Sequence, residues 1–326
     1  FKSSWFIKMI KIGTYLPKKV LSNEDLEYLG WSAKKIFLKT GILQRHITVE
    51  NETALDLAYK ACEELFSKYK INKNEVDYIL YCTQSPDYNL PNNVSILHKR
   101  LNLSNTVPTL EYNQGCSGYI YGLSLAKALI NSNLASNILL VTTDTYTKYI
   151  DNQDRANKTI FGDGATATLF TKNETDKFGD FIFGTDGKGS CNLCVNNSGL
   201  SKEKLTLEGF EDKLFMNGSE IFNFTLEAVP YSIEKVLEKN SLNFEDIDYF
   251  LFHQANDFML EHLREKLNIP KEKFPKFIEN TGNTVSSTIP FLINDLNKKE
   301  VLKKGDKLLL IGFGVGYSWG TTIIEY

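Results

Sequence analysis

Val76-Asp77-Tyr78-Ile79-Leu80-Tyr81-Cys82 and Ile247-Asp248-Tyr249-Phe250-Leu251-Phe252-His253 share one pattern, an apolar residue, an aspartate and then a short apolar run. From Asp77 to Asp248 the offset is 171 residues. A second pair, Ile138-Leu139-Leu140-Val141 and Leu308-Leu309-Leu310-Ile311, recurs at an offset of 170. Each first run also follows a helix-like stretch, Thr53 to Tyr69 and Glu220 to Lys239. The chain therefore repeats the order helix, strand, further elements, strand.

Apolar runs of this length, bounded by polar turns, are what strands covered on both faces look like, and here they alternate with helical segments. The spacing predicts two similar α/β halves. In Gly118 to Asn131, apolar residues lie around most of the helical circumference. A helix apolar all round is a buried one. Two sheets with a buried helical layer between them and helices outside accommodate both features. The polar stretch Thr171-Lys172-Asn173-Glu174-Thr175-Asp176-Lys177 marks the join, which puts the halves at residues 1–174 and 175–326.

The 326 residues, 42% apolar and 24% charged, are enough for a large core in one compact unit or two domains of similar size. The 37 basic and 40 acidic residues are mixed along the chain, with a formal charge of -3, so nucleic acid is not an expected partner. The first residues, interrupted by Lys2, Lys8 and Lys11, do not read as a secretory signal, and no run of about 20 apolar residues is present. Met9 could be the natural start, with residues 1–8 an extension. Five cysteines without a signal point to a reducing cytoplasm rather than a disulfide framework.

Cys116 stands between a predicted strand, Val107 to Tyr112, and the apolar helix, in Asn113-Gln114-Gly115-Cys116-Ser117-Gly118. A thiol at a helix N-terminus faces unpaired amide hydrogens, which predicts a lowered pKa and a nucleophilic thiolate. On local context alone, a small buried residue is an equal reading. His253 closes the corresponding strand of the second half, and Asn283 lies in the turn-rich Glu279-Asn280-Thr281-Gly282-Asn283-Thr284. Singly, these suggest a structural histidine and a loop. Together they gain meaning, because Cys116 lies 38 residues after Tyr78 and Asn283 lies 34 after Tyr249. Both then fall on turns at matching ends of related halves, where α/β sheets place ligands.

Cys116 with its helix, His253-Gln254-Ala255-Asn256, the Asn283 loop and Gly312-Phe313-Gly314-Val315-Gly316-Tyr317-Ser318-Trp319-Gly320 closely resemble the β-ketoacyl-[acyl-carrier-protein] synthase III family of condensing enzymes. The resemblance covers nearly the whole chain and includes Lys39-Thr40-Gly41-Ile42 and Phe161-Gly162-Asp163-Gly164-Ala165. It implies a thiolase-like, five-layered αβαβα fold and a homodimeric acyltransferase of fatty acid biosynthesis. Elongating synthases pair cysteine with two histidines, and thiolases carry a second cysteine in the C-terminal glycine-rich loop; residues 312–320 contain none.

In the mechanism the resemblance implies, Cys116 takes an acyl group from acyl-CoA or acyl carrier protein. His253 and Asn283 then stabilise the enolate of a decarboxylating malonyl thioester. The backbone amides of Cys116 and Val315 are the implied oxyanion donors. Thr40, Arg155, Gly218, Phe222 and Asn256 are the implied contacts to nucleotide or pantetheine, and Leu90 the residue lent by the dimer partner to the acyl pocket. No metal or redox cofactor is expected; CoA or phosphopantetheine thioesters are substrates.

Three departures bear on the substrate. Lys35 stands where initiating members stack a tryptophan on adenine, followed by Lys39 in place of arginine, so stacking at that site is lost. Phe258 replaces an arginine that helps dock the carrier protein. Val315 replaces a glycine or alanine. These changes favour an accessory synthase over the housekeeping initiator. Transfer to a hydroxyl or amine without decarboxylation is the enzymatic alternative, and a non-catalytic partner subunit is the second.

Cys191-Asn192-Leu193-Cys194 lacks two further zinc ligands nearby and the βαβ context of a redox motif, so it reads as coincidence. His46, His98 and His262 have no motif company. Gly162-Asp163-Gly164 and Gly312 to Gly320 lack the features of phosphate loops and read as close packing at strand ends.

Overall fold

The computed structural model describes residues 10–172, 177–201, 203–205 and 212–326. The expected join at 174/175 and the possible extension 1–8 lie outside the described residues. The first part contains β1 (Lys11–Tyr15), β2 (Lys19–Ser22), α1 (Ala33–Thr40), β3 (Gln44–Ile47), α2 (Ala54–Tyr69), β4 (Tyr78–Cys82), α3 (Asn93–Leu101), β5 (Thr109–Tyr112), α4 (Gly118–Asn131), β6 (Asn137–Asp144), α5 (Arg155–Lys158) and β7 (Gly164–Thr171). The second contains β8 (Phe178–Thr185), β9 (Leu193–Val195), β10 (Leu214–Met216), α6 (Gly218–Lys239), β11 (Tyr249–Phe252), α7 (Asp257–Lys266), α8 (Thr288–Lys298), β12 (Lys307–Gly314) and β13 (Ser318–Glu325).

Five strands form one sheet in the order β1-β7-β6-β4-β5, and four form the other in the order β11-β12-β13-β8. The repeat is visible in the registers. Tyr78 of β4 lies opposite Ile138 of β6, and Tyr249 of β11 lies opposite Leu308 of β12, both in parallel pairs. Residues separated by 171 and 170 in sequence thus occupy the same place in each sheet.

Alternation along each strand then builds the layers, because successive side chains point to opposite faces. Leu80, Ile138 and Leu140 of the first sheet and Leu251, Leu308 and Leu310 of the second meet α4 and α8 in one central core. The intervening Ile79, Tyr81, Leu139 and Val141 pack outward under α2 and α3. Phe250, Phe252, Leu309 and Ile311 do the same under α6 and α7. The result is helix, sheet, helix, sheet, helix.

Local chemistry agrees with this plan. Thr53 caps α2 by accepting the Asp56 amide, while the Asp56 carboxylate accepts the Thr53 amide, so two free donors are satisfied reciprocally. The helix α4 is less enclosed than its composition predicts. Tyr119, Ile120, Leu123 and Ala126 are buried between the sheets, but Ala128 is exposed and Leu125 and Leu129 are half-buried. Its C-terminal turns are covered from one side only, the side of Ala126 and Ile130.

Candidate active site

Cys116 lies on a short 3-10 turn, Gly115–Ser117, that feeds directly into α4. Gly115 takes φ +55°, a left-handed conformation that glycine adopts without a Cβ penalty. Ser117 ties the turn to the glycine-rich C-terminal segment through the Ser318 hydroxyl at 2.8 Å. In that segment Gly314 passes so close that a Cβ on it would sit 3.0 Å from Cys116 Sγ. Close approach, rather than phosphate binding, explains the glycine there.

His253 follows β11, its backbone amide donating to Ile311 O at 2.8 Å, so the sheet itself sets the residue's position. Its Nδ1 lies 2.7 Å from Thr288 Oγ1 at the start of α8. Asn283 is held on both sides by the Ile160–Gly162 segment: its amide donates to Ile160 O at 2.9 Å, and Gly162 donates to Asn283 O at 3.0 Å. Asp163 anchors that segment by accepting the Thr48 amide at 2.8 Å and the Thr147 amide at 3.1 Å. The Gly162-Asp163-Gly164 motif is thus part of the frame that places Asn283.

The Asn283 amide group has one orientation. Its Oδ1 accepts the Val285 N–H at 2.8 Å, which leaves Nδ2 toward His253 Nε2 at 3.5 Å. Val285 supplies that N–H from φ +55°, an uncommon conformation for a β-branched residue, costing on the order of 1–3 kcal/mol. Two nitrogens at this separation can donate to a single oxygen placed between them.

Cys116, His253 and Asn283 line one cavity of about 270 Å³, together with Phe313 and Gly314. All three side chains are nearly inaccessible; Cys116 is 5% exposed. Burial depresses His253 to a pKa of about 3, so its imidazole is neutral at pH 7. The expectation of a lowered Cys116 pKa is overturned. Burial pushes the thiol up, the Asp144 carboxyl adds to this, and a hydrogen bond from the residue's own backbone only partly offsets them. With so little solvent, loss of hydration outweighs the favourable helix terminus. The resting group is a thiol.

Thr40, Gly218 and Asn256 line the same cavity. Arg155 lies in an adjoining cleft of about 700 Å³ that shares Trp31, Ala156 and Met216 with it. Phe222 stands outside both, against Phe258 and His262, with ring centroids 5.6 and 5.4 Å away. Val315 does not line this cavity, and its side chain packs toward Gly115 instead. Leu90 is 90% exposed and does not line the cavity of its own chain.

Several residues escaped the sequence reading. Trp31, just before the Ser32 cap of α1, lines the cavity and the cleft, with Lys35 Nζ 5.1 Å and the Arg155 guanidinium carbon 4.4 Å from its ring centre. It lies outside the helix, so no helical spacing in the sequence links it to Lys35. Asp144, fully buried, accepts the Gln84 amide at 2.7 Å and the Ser286 hydroxyl at 2.5 Å, joining loops from both halves. Burial raises its pKa to about 7. No local pattern marks it.

His46 and His98 bond to the carbonyls of Pro17 and Ser104. Cys191 is exposed and Cys194 partly so, both as free thiols. Among the described residues, no group of three His, Cys, Asp or Glu side chains is placed to hold a metal. No helix among the described residues is long and apolar enough to cross a membrane.

Residues 110–187 match the family model for 3-oxoacyl-[acyl-carrier-protein] synthase III, and residues 237–326 match the model for its C-terminal part. The chain is 33% identical to β-ketoacyl-[acyl-carrier-protein] synthase III of Clostridium acetobutylicum, with 98% of each chain covered. It is 37% identical to β-ketoacyl-[acyl-carrier-protein] synthase III 2 of Staphylococcus epidermidis, again over 98% of each. A crystal structure of a 3-oxoacyl-(acyl-carrier-protein) synthase III superposes with a TM-score of 0.92 at 41% identity, covering 98% of this chain and 99% of that one. The enzyme of Thermus thermophilus gives 0.89 at 31% identity, with the same coverage.

Proposed function

The chain belongs to the β-ketoacyl-[acyl-carrier-protein] synthase III family of condensing enzymes, and we propose that it joins an acyl group carried on Cys116 to a malonyl thioester with loss of carbon dioxide. The observation that carries this reading is the pair Asn283 Nδ2 and His253 Nε2, 3.5 Å apart over the Cys116 cavity.

In the first step the Cys116 thiol attacks the acyl thioester carbonyl, and the new C–S bond replaces the old one. The thiol proton leaves with the departing CoA or pantetheine thiol. Exchange of thioester for thioester is nearly balanced in energy, so a thiol of high pKa is workable when deprotonation accompanies attack. Backbone amides of Cys116 and Val315 are the proposed donors to the transient oxyanion.

In the second step a malonyl thioester, proposed to arrive on acyl carrier protein, places its carbonyl oxygen between His253 Nε2 and Asn283 Nδ2. For Nε2 to donate, the Thr288 hydroxyl must give its hydrogen to Nδ1 at 2.7 Å in place of Val285 O, which lies farther off at 3.3 Å. Carbon dioxide departs, and its bonding electrons become the enolate, whose charge falls on that oxygen. Fixed donors in a dry cavity stabilise such charge by about 3–4 kcal/mol each. The enolate carbon attacks the acyl-Cys116 carbonyl, and the released thiolate regains a proton. The chemistry draws on no metal or redox cofactor.

Lys35, Phe258 and Val315 support an accessory role. The Trp31 ring beside Arg155 also supports a nucleotide-bearing donor such as acyl-CoA, because an indole and a guanidinium offer a purine two stacking faces. Trp31 would then do from just before α1 what Lys35 cannot. A homodimer is proposed as well, supported by the edge strand β5 with Leu110 exposed and by the exposure of Leu90.

Mixing the protein with an acyl donor and carboxyl-labelled malonyl carrier protein tests the reaction. Labelled carbon dioxide released in step with a β-ketoacyl product is expected. Acyl loss to a hydroxyl or amine acceptor without carbon dioxide would replace condensation with simple transfer.

A further inference from the structure

A second cavity, of about 200 Å³, adjoins the first across Leu193, which lines both. It is bounded by Gln84 and Val315, the two side chains that flank the residue before Cys116: a Cβ on Gly115 would lie 2.4 Å from Gln84 Oε1 and 2.5 Å from Val315 Cγ1. One wall of this second cavity is polar. Tyr146, only 4% exposed, donates its hydroxyl to Gln84 Oε1. Gln84 Nε2 donates to Asn113 Oδ1 at 2.5 Å, and the Tyr149 hydroxyl reaches Gln84 O at 3.4 Å. Tyr146 also lies within electrostatic reach of Cys116, whose thiol, after burial and Asp144, contributes to raising the phenol's pKa.

This wall keeps hydrogen-bonding capacity in hand. Gln84 Nε2 has a second hydrogen, and the Tyr146 oxygen, having donated, still has lone pairs. An alkyl chain laid against them would remove water and return nothing, whereas an oxygen on the chain would take the water's place. The volume, on the order of seven waters at liquid density, admits only a short chain.

We propose that Gln84 and Tyr146 select the acyl group carried by Cys116, favouring a short chain that bears a hydroxyl or oxo oxygen over a plain alkyl chain of the same length. This rests on the acyl-Cys116 reading and names its substrate class.

Intact-protein mass spectrometry, timing acylation by butyryl, 3-hydroxybutyryl and 4-hydroxybutyryl groups as both CoA and carrier-protein thioesters, tests it in wild type, Tyr146→Phe and Gln84→Leu. One hydroxyacyl donor should label wild type at least roughly tenfold faster than butyryl, since sites built for a polar group reject analogues lacking it. Each substitution should bring that ratio close to one. Because the ratio is internal to each protein, partial misfolding of a variant rescales both rates alike. Butyryl labelling as fast as both hydroxyacyl groups in wild type, or a ratio that survives both substitutions, overturns the inference while leaving Cys116 as the acyl carrier. No added mass with any donor overturns both readings.

Discussion

Asn283 turns its Nδ2 toward His253 Nε2 at 3.5 Å because the Val285 amide holds its other end. The two nitrogens come from loops in the same half, His253 at the end of β11 and Asn283 from the segment braced by Ile160 and Gly162. In the proposed reaction their shared function is confined to the second step, since neither would be needed to hold an acyl group on Cys116.

That separation predicts a split phenotype. Asn283→Ala should lower carbon dioxide release by roughly 100- to 1,000-fold, as loss of one oxyanion donor does elsewhere. Single-turnover acylation of Cys116, followed by mass, should change by less than about threefold on the same reasoning. Equal loss in both steps would show that Asn283 does not act on the malonyl group.

Gly314→Ala should strike at Cys116, the proposed nucleophile, instead. The added methyl would sit 2.9 Å from Cys116 Cβ and 3.0 Å from Sγ, so either the thiol or β12 must shift. A displacement near 1 Å costs about 100-fold in rate. Gly187→Ala, where a Cβ meets nothing within 4 Å, is the control and should leave acylation unchanged. The measurement is the acylation rate, with circular dichroism confirming the fold.

Trp31→Ala is expected to raise KM for an acyl-CoA donor by roughly 3- to 10-fold, the worth of one stacking contact. With the same acyl group on carrier protein, which brings no nucleotide, KM should not move. A parallel rise for both donors would place Trp31 in pantetheine contact or in the fold.

Two buried groups make opposite pH predictions. His253 is held to a pKa of about 3 against an ordinary value of 6.5, so the unfolded chain takes up the proton first. Its contribution to stability is complete above pH 6.5 and is lost as pH falls toward 3. Asp144, raised to about 7 from 3.8, favours the folded state below 3.8 and loses that advantage as pH rises toward 7. Thermal midpoints across this range should fall less steeply on the acid side in His253→Gln, and rise relative to wild type toward pH 7 in Asp144→Asn.

Much of this was legible before the structure. The two apolar runs and their 171-residue offset describe the paired registers Tyr78–Ile138 and Tyr249–Leu308, because strands buried on both faces leave an unbroken apolar signature. Cys116, His253 and Asn283 could be gathered because each sits at a strand or helix end, and the repeat aligns those ends. The thiol's raised pKa was not legible, since enclosure comes from Gly314, Phe313 and Leu193, residues distant in sequence. Asp144 and the Gln84–Tyr146 pair were missed for the same reason: isolated polar residues acquire meaning only from the loops that fold over them. Lys35 in place of tryptophan suggested that stacking was lost, and only the three-dimensional course of the segment before α1 shows Trp31 at the same mouth.

The central claim is an acyl-Cys116 intermediate that discharges by decarboxylative condensation, and one experiment reads both halves. The protein is loaded with an acyl donor, freed of excess, and followed by intact mass after carboxyl-labelled malonyl carrier protein is added. The account predicts one acyl mass on Cys116, absent from Cys116→Ser, and its disappearance with one labelled carbon dioxide per acyl group lost. An acyl mass on another residue, or discharge without carbon dioxide, would contradict it.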